Sequence, residues 1–374
     1  MKIGIITIHH TQNFGGCLQA IALQEVLSNR YNAEVSLIDY CPPVIMDIYS
    51  GFSIPKYKRM VKRGQGQVLP RVLGSDIYHF RGNRIIAKRF KTFHQKYYQL
   101  TTPHVTEYQD LKNLKFDVDC LITGSDQVWN GVLFHGLDPA YFLKFGNPGC
   151  KRVAYAASVG QDVLNENELE KYKELLADYQ AISTREKKAK EMLQPYTRLD
   201  IAYVLDPTLL MSANDWLKLF SVGILIPDQP YIFLYTINWS EKVMAFTAKL
   251  SKETGVPVVS VLANKKFENE LGHHPNCTPD DFVRLISGAK YVVTNSFHGT
   301  VFSILFAKQF WTFLNNDRNS RMIDITTSLG ISHRLIQLDQ EAEVNCNSVS
   351  YSRTLERLEA IKSESLQFLD SALM

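Results

Sequence analysis

Short apolar runs of four to eight residues recur along this chain, separated by longer stretches in which apolar residues return with a helical period. A strand buried on both faces reads as such a run, and a parallel neighbour is reached only through a crossover, usually a helix. The alternation therefore predicts an α/β chain of doubly wound parallel sheets, with ligands held beyond the carboxyl ends of the strands. Strands are expected at 2–8, 35–38, 118–123, 152–156, 181–184, 231–236, 256–261, 291–294 and 309–314. Helices are expected at 16–29, 166–179, 186–194, 241–254, 279–288, 300–306 and 351–373.

The pattern weakens over residues 211–230, where Pro227 and Pro230 appear, and a fresh strand–helix–strand series follows. We expect a first Rossmann-like domain at 1–215 and a second at 225–345, in keeping with 374 residues at about 150 per domain. A polar amphipathic helix at 351–374 is expected to cross back onto the first domain.

With 45% hydrophobic and 21% charged side chains, the chain can bury a large core. Its formal charge of +3 accompanies no zinc-finger, ribonucleoprotein or basic-zipper pattern, so no nucleic-acid partner is expected. Cys17, Cys41, Cys120, Cys150, Cys277 and Cys346 form no CxxC pair, which argues against a zinc site or a disulfide framework and for a reducing cytoplasm. The apolar start is too short for a signal sequence, and the run at 300–314 contains Lys308 and falls short of the ~20 residues of a spanning helix, so a soluble protein is expected.

Residues 51–100 differ from the rest. Twelve Lys or Arg there oppose one acid, Asp76. One reading is a solvated insertion whose cationic stems cover apolar surface. The other is a patch that meets an anionic acceptor or the anionic inner face of a membrane, worth about 1 kcal/mol per basic residue near such a surface.

Polar residues that follow an apolar strand emerge where the ligand crevice lies. After the first strand come His9 and His10 and then Asn13, Gly15 and Gly16, a glycine turn opening a helix that suits an anion or serves as a tight turn with one positive φ. Adjacent histidines on a strand point to opposite faces, so His9 and His10 are not expected to share a metal. After the run at 118–123 come Asp126, Gln127, Trp129 and Asn130, an acid, amide and indole set suited to sugar hydroxyls; Asp126 also reads as a helix cap and Trp129 as core. Arg185 ends the strand at 181–184 and can grip a carboxylate or phosphate, or pair with Glu186. Asp206, in Val204-Leu205-Asp206-Pro207-Thr208, closes the first half. Ser296, His298 and Gly299 follow the strand at 291–294, with Gly299 allowing close backbone approach, and Arg318 and Arg321 follow the strand at 309–314.

Taken in order, NFGGCLQAIALQ, TGSDQVWN, AYAASVG with STREKKAKEML, VLDPTLL and TNSFHGTVFSILFAKQF resemble the polysaccharide pyruvyl transferase family, over residues 13 to about 310. The resemblance implies two Rossmann-like domains facing a cleft, similar to two-domain (GT-B-like) glycosyltransferases. It also implies transfer of the enolpyruvyl carbons of phosphoenolpyruvate to a sugar of a capsule, exopolysaccharide or precursor, commonly as a cyclic pyruvate ketal, with no metal or redox cofactor. On that basis His298 and Arg318 would meet the donor phosphate, His298 also carrying a proton, and Arg185 would meet the donor carboxylate. Arg321 is held in reserve, with Ser296 and Gly299 beside the donor. Asp126 would be the base, and Gln127, Trp129 and Asn130 would hold the acceptor. Asn13, Gly15 and Gly16 would wall the cleft. The acceptor would be a sugar or a lipid-linked oligosaccharide, and the protein cytoplasmic, at the inner membrane face if the basic segment meets lipid.

Two other classes stay open at this point. A nucleotide-sugar-dependent glycosyltransferase uses the same fold, although only Glu268 and Glu270 offer a ribose-binding acid in the second half. A non-catalytic sugar-binding protein would have little use for several cations and an acid in one cleft. The acceptor sugar, the ketal position and the group that protonates the donor methylene are not set by sequence.

Overall fold

Two parallel sheets carry the molecule, and both are doubly wound. The computed structural model describes the chain apart from residues 102, 262–266, 316–318, 338–339, 341 and 345–349. The first sheet holds β1 Lys2–Ile6, β2 Glu34–Leu37, β3 Cys120–Thr123, β4 Lys151–Ala157, β5 Ala181–Thr184 and β6 Ile201–Tyr203, in the order β2-β1-β3-β4-β5-β6. The second holds β7 Ile232–Tyr235, β8 Val258–Val261, β9 Glu270–His273, β10 Tyr291–Thr294, β11 Gln309–Phe313 and β12 Leu335–Ile336, in the order β12-β11-β10-β7-β8-β9.

In each sheet the chain winds outward from a central strand in one direction and then in the other. The winding reverses between β1 and β3 in the first sheet and between β7 and β10 in the second. Such a reversal opens a crevice at the carboxyl ends of the strands, because the crossovers on either side leave in opposite directions.

The central strands β3, β7 and β10 are buried at every position, which is why they read as plain apolar runs. The edge strands β6, β9 and β12 were not expected; they are short and half-exposed, and β9 alternates between half-buried and exposed positions. The first strand stops at Ile6 rather than at residue 8, because the chain folds into a turn in which the His9 amide donates to the Thr7 carbonyl. The helix expected at 300–306 begins earlier, as Phe297–Leu305, capped by the Ser296 hydroxyl accepting from the Gly299 amide. His298 therefore lies within its first turn.

A continuous apolar core joins the two sheets, with Phe14 of the opening helix Phe14–Tyr31 set between them. Its ring lies 5.3 Å from Tyr235 and 5.4 Å from Phe282, both in the second half. The last helix, Ser352–Leu373, packs back on the first half: Asp370 takes hydrogen bonds from Arg30 and Tyr31, and Ser365 Oγ accepts from the Leu205 amide.

The basic segment is largely helical, as Ile54–Lys62, Leu69–Tyr78 and Phe80–Tyr97. The five cysteines among the described residues are free and buried; Cys346 lies outside those residues. No described helix is long and apolar enough to cross a membrane.

Candidate active site

The two crevices open onto one cavity of about 450 Å³ between the halves. Asn13 and Asp126, beyond β1 and β3, line one wall; Asn238, Asn295, Ser296 and His298, beyond β7 and β10, line the other. Asn295 ties these last loops together, donating to the Asn238 carbonyl and accepting from the Ile237 amide.

Gly15 and Gly16 do more than turn the chain. Neither has a positive φ, so the tight-turn reading does not account for them. A Cβ at Gly15 would overlap the His298 imidazole, and one at Gly16 would stand 3.1 Å from Asp126 Oδ2 and 2.8 Å from the Thr11 methyl. The glycine pair is thus the surface on which the two candidate catalytic side chains rest. Asn13 caps the helix that follows, accepting from the Gly16 amide.

Asp126 adopts φ +76°, which costs a non-glycine residue roughly 1–3 kcal/mol and persists only where neighbours enforce it. Here the Gln127 amide donates to its side chain and the Ser158 amide to its carbonyl. Its carboxylate is held over Gly16 at the cavity edge.

Trp129, expected in the cleft, is core instead. It is fully buried, its indole N–H donates to the Tyr141 carbonyl, and its ring stacks on Phe142 at 5.2 Å. Asn130 caps the short helix Gly131–Phe134 and donates to Gln127 Oε1. Gly299 faces strand rather than ligand: a Cβ there would stand 2.9 Å from Thr294 Cβ. Ser296 is a helix cap on the cavity wall. Gln127 lines this cavity and, with Asn130, a second one of about 430 Å³.

Arg185 also differs from expectation. It is 3% exposed and spent on acids of its own half: Nη1 donates to Asp206 Oδ2 at 2.7 Å, with Glu186 and Asp126 each at 3.7 Å. Burial opposes its charge, but Asp206, Glu186 and Asp126 hold the guanidinium above its ordinary value. It organises the site rather than reaching into it.

Among the described residues, the arginine that does line the cavity is Arg321. Its guanidinium and that of Arg185 lie 5.5 and 5.3 Å from the centre of the Phe297 ring, two cation–π contacts on one side chain. Burial, and then Arg185, lower its pKa from the ordinary value. Arg318 lies outside the described residues.

Asp206 is the residue that sequence reasoning missed. His298 Nε2 approaches Asp206 Oδ1 at 3.7 Å across the cleft and has no hydrogen-bond partner among the described residues. Burial would raise the Asp206 carboxyl, but His298, then Arg185 and Thr208, hold it well below the usual carboxylate range. Asp206 lies beyond the strand Ile201–Tyr203, which has no apolar run to reveal it, so its place in the stretch VLDPTLL was the available signal. Glu186 is buried between Arg185 and Arg321, at 3.7 and 3.9 Å, and is pushed up by that burial against their pull.

Three helices aim their amino ends at this cavity: Phe14–Tyr31 through Asn13, Phe297–Leu305 through Ser296 and His298, and Ser320–Leu329 through Arg321 and Met322. The third has no side-chain cap, because Asn319 is engaged with Asn315. Free amides and aligned dipoles at such ends favour an anion. A thiolate mechanism is not supported, since burial pushes the Cys17 thiol up to about 12.

The sequence profile of the polysaccharide pyruvyl transferase family matches residues 13–318. The chain belongs to this family. It is therefore a transferase, and the matched span carries the cavity-lining residues named above except Arg321 and Met322. No curated protein matches the chain. Among solved structures, a protein provisionally assigned as UDP-N-acetylglucosamine 2-epimerase from Listeria monocytogenes aligns over 99% of this chain and 88% of its own, at 11% identity and TM-score 0.50. The UDP-GlcNAc 2-epimerase of Neisseria meningitidis (100% and 94% covered, 11% identity, TM-score 0.47) and the ADP-heptose heptosyltransferase II of E. coli (98% and 100%, 15%, 0.36) also align. With the two six-stranded parallel sheets, the first of these likenesses supports a GT-B-like fold.

The Asp206 cluster predicts a pH-dependent stability. A carboxyl held below its unfolded value of about 3.9 contributes stability fully present above that pH and lost as pH falls through the lower folded value. Asp206→Asn should cost roughly 3–5 kcal/mol near neutrality, because it takes from the buried Arg185 its one hydrogen-bonded carboxylate and leaves Glu186 and Asp126 only at 3.7 Å. The gap from the native chain should narrow below about pH 4. Urea unfolding across pH measures both, and a gap independent of pH contradicts the pairing.

Proposed function

We propose that this transferase moves the enolpyruvyl carbons of phosphoenolpyruvate onto a sugar of a surface polysaccharide or its precursor and closes a cyclic pyruvate ketal. The observation that carries the reading is the convergence of three helix amino ends, Arg321 and His298 on one cavity, a setting for a compact, multiply charged anion.

Asp126 takes the proton of the acceptor hydroxyl as its oxygen bonds to the central donor carbon, while an acid delivers a proton to the methylene carbon. Phosphate then leaves with the electron pair of its C–O bond, held by Arg321 and the helix ends, and a second hydroxyl closes the ring and releases its proton. His298, oriented by Asp206 and seated on Gly15, is the group best disposed to carry a proton at the phosphate side. The donor carries its own activated carbon, so the reading asks for no redox cofactor. Neither Glu268 nor Glu270 lines the cavity, which favours this donor over a nucleotide sugar.

The test is incubation with phosphoenolpyruvate and a panel of lipid-linked and artificial glycosides, followed by mass spectrometry and phosphate release. Arg321→Ala should raise KM for phosphoenolpyruvate by about 10-fold or more, and His298→Gln should lower kcat by roughly 100-fold or more. Near-native transfer by both variants, or transfer of a nucleotide-linked sugar by the native chain, overturns the reading.

The acceptor on this reading is lipid-linked and meets the enzyme at a cytoplasmic membrane face. The second cavity leads from Gln127 to Val44, Ile48 and Met60, beside Lys56 and Arg63 of the basic segment. Beyond it Ile54, Val61, Ile77, Phe80 and Ile85 are exposed among cations, a mixture suited to an anionic bilayer. Vesicle sedimentation should rise with the anionic lipid fraction and fall with salt. Reversing Lys58, Lys62 and Lys88 to Glu should weaken it by more than about 10-fold; binding indifferent to lipid charge contradicts this surface.

A further inference from the structure

A histidine cluster outside the transfer machinery sits at the carboxyl ends of β1 and β2. Two of its members, His9 and His10, were expected to face apart as neighbours on a strand. They lie beyond Ile6 in the turn, and their rings stand 4.3 Å apart.

His9 is fully buried. Its Nδ1 lies 3.0 Å from the Thr7 carbonyl, an oxygen that can only accept, so Nδ1 carries the proton and Nε2 the lone pair. That Nε2 is buried and has no hydrogen-bond partner among the described residues. A histidine with one nitrogen donating to a backbone carbonyl and the other bare is arranged as a metal ligand usually is. His10 Nε2 and His104 Nδ1 meet one oxygen of Asp39, at 2.6 and 2.7 Å. One donor atom each from His9, His10 and Asp39 lies within 4.8 Å of the other two.

We propose that His9, His10 and Asp39 bind one divalent transition-metal ion of the zinc class, which fastens the loop after β1 to the loop after β2. Two imidazoles and one carboxylate suit zinc, cobalt or nickel far better than magnesium or calcium, which prefer an all-oxygen shell. The ion replaces the direct His10–Asp39 contact and gives the buried His9 Nε2 the partner it lacks. Its place in the fold gives it a structural task. Thr11, two residues from His9, accepts from the Asn13 amide and packs beneath Gly16, so the metal braces the glycine turn on which Asp126 and His298 rest. The proposal does not depend on the donor or acceptor of the transfer reaction.

The test uses the tag-free full chain after chelator treatment. Calorimetric titration with Zn²⁺ should show one equivalent bound, Co²⁺ should give the visible absorption of a nitrogen-ligated ion, and Zn²⁺ should raise the melting temperature. His10→Ala and Asp39→Asn, at partly exposed positions, should each weaken Zn²⁺ binding by about 10-fold or more while circular dichroism stays native. His79→Ala, an exposed histidine elsewhere, should bind as the native chain does. The proposal fails if the native chain takes up no stoichiometric Zn²⁺, or if His10→Ala and Asp39→Asn bind as tightly as the native chain.

Discussion

Asp206 is a fully buried carboxylate whose two oxygens serve the two halves of the molecule. One accepts from Arg185 and Ser125, which belong to the first half; the other accepts from Thr208 and faces His298, which the second half brings across the cleft. A buried charge is tolerated only when its partners are in place, and truncating one partner is costly because the other is left uncompensated. Asp206 thus sets the charge that faces His298, while the continuous apolar core holds the two sheets together. Gly15 completes the seat, since any side chain there would occupy the space of the imidazole.

Net charge is not what the proposed anion site rests on. Among the described residues around Phe297, the acids Asp126, Glu186 and Asp206 outnumber the guanidiniums of Arg185 and Arg321. Arg185 is already surrounded by acids, so on the proposed reading the attraction comes from what faces the cavity: Arg321, His298 and three helix amino ends. Backbone dipoles supply positive potential without a mobile side chain, and they cost no reorganisation when charge moves onto a leaving phosphate. The strained backbone at Asp126 fits the same logic, with a carboxylate held at a fixed point by its neighbours rather than by its own preference.

Much of this was legible in the sequence, for physical reasons that can be traced. Strands such as β3 and β10 are buried on both faces and so read as unbroken apolar runs, and the polar residues after them, Asp126 and His298, fall in the crevice by topology. The edge strands β6, β9 and β12 escaped because partial exposure leaves no such run. Side-chain direction was the other blind spot. Nothing in TGSDQVWN says that Trp129 turns inward to Tyr141 while Gln127 stays at the cavity, and nothing local to Arg185 says that its Nη1 donates to Asp206. Among the described residues the reserve cation Arg321, rather than Arg185, lies on the wall.

Equilibrium binding tests the central claim most directly: that the cleft is built for a small phosphorylated anion by Arg321 and the converging helix ends. Isothermal calorimetry of the native chain and of Arg321→Ala, with phosphoenolpyruvate and with a series of nucleotide sugars, separates the cases. The account predicts that phosphoenolpyruvate binds the native chain, that Arg321→Ala weakens it by about 10-fold or more, and that nucleotide sugars leave no comparable heat. Tight nucleotide-sugar binding with no response to phosphoenolpyruvate would contradict it.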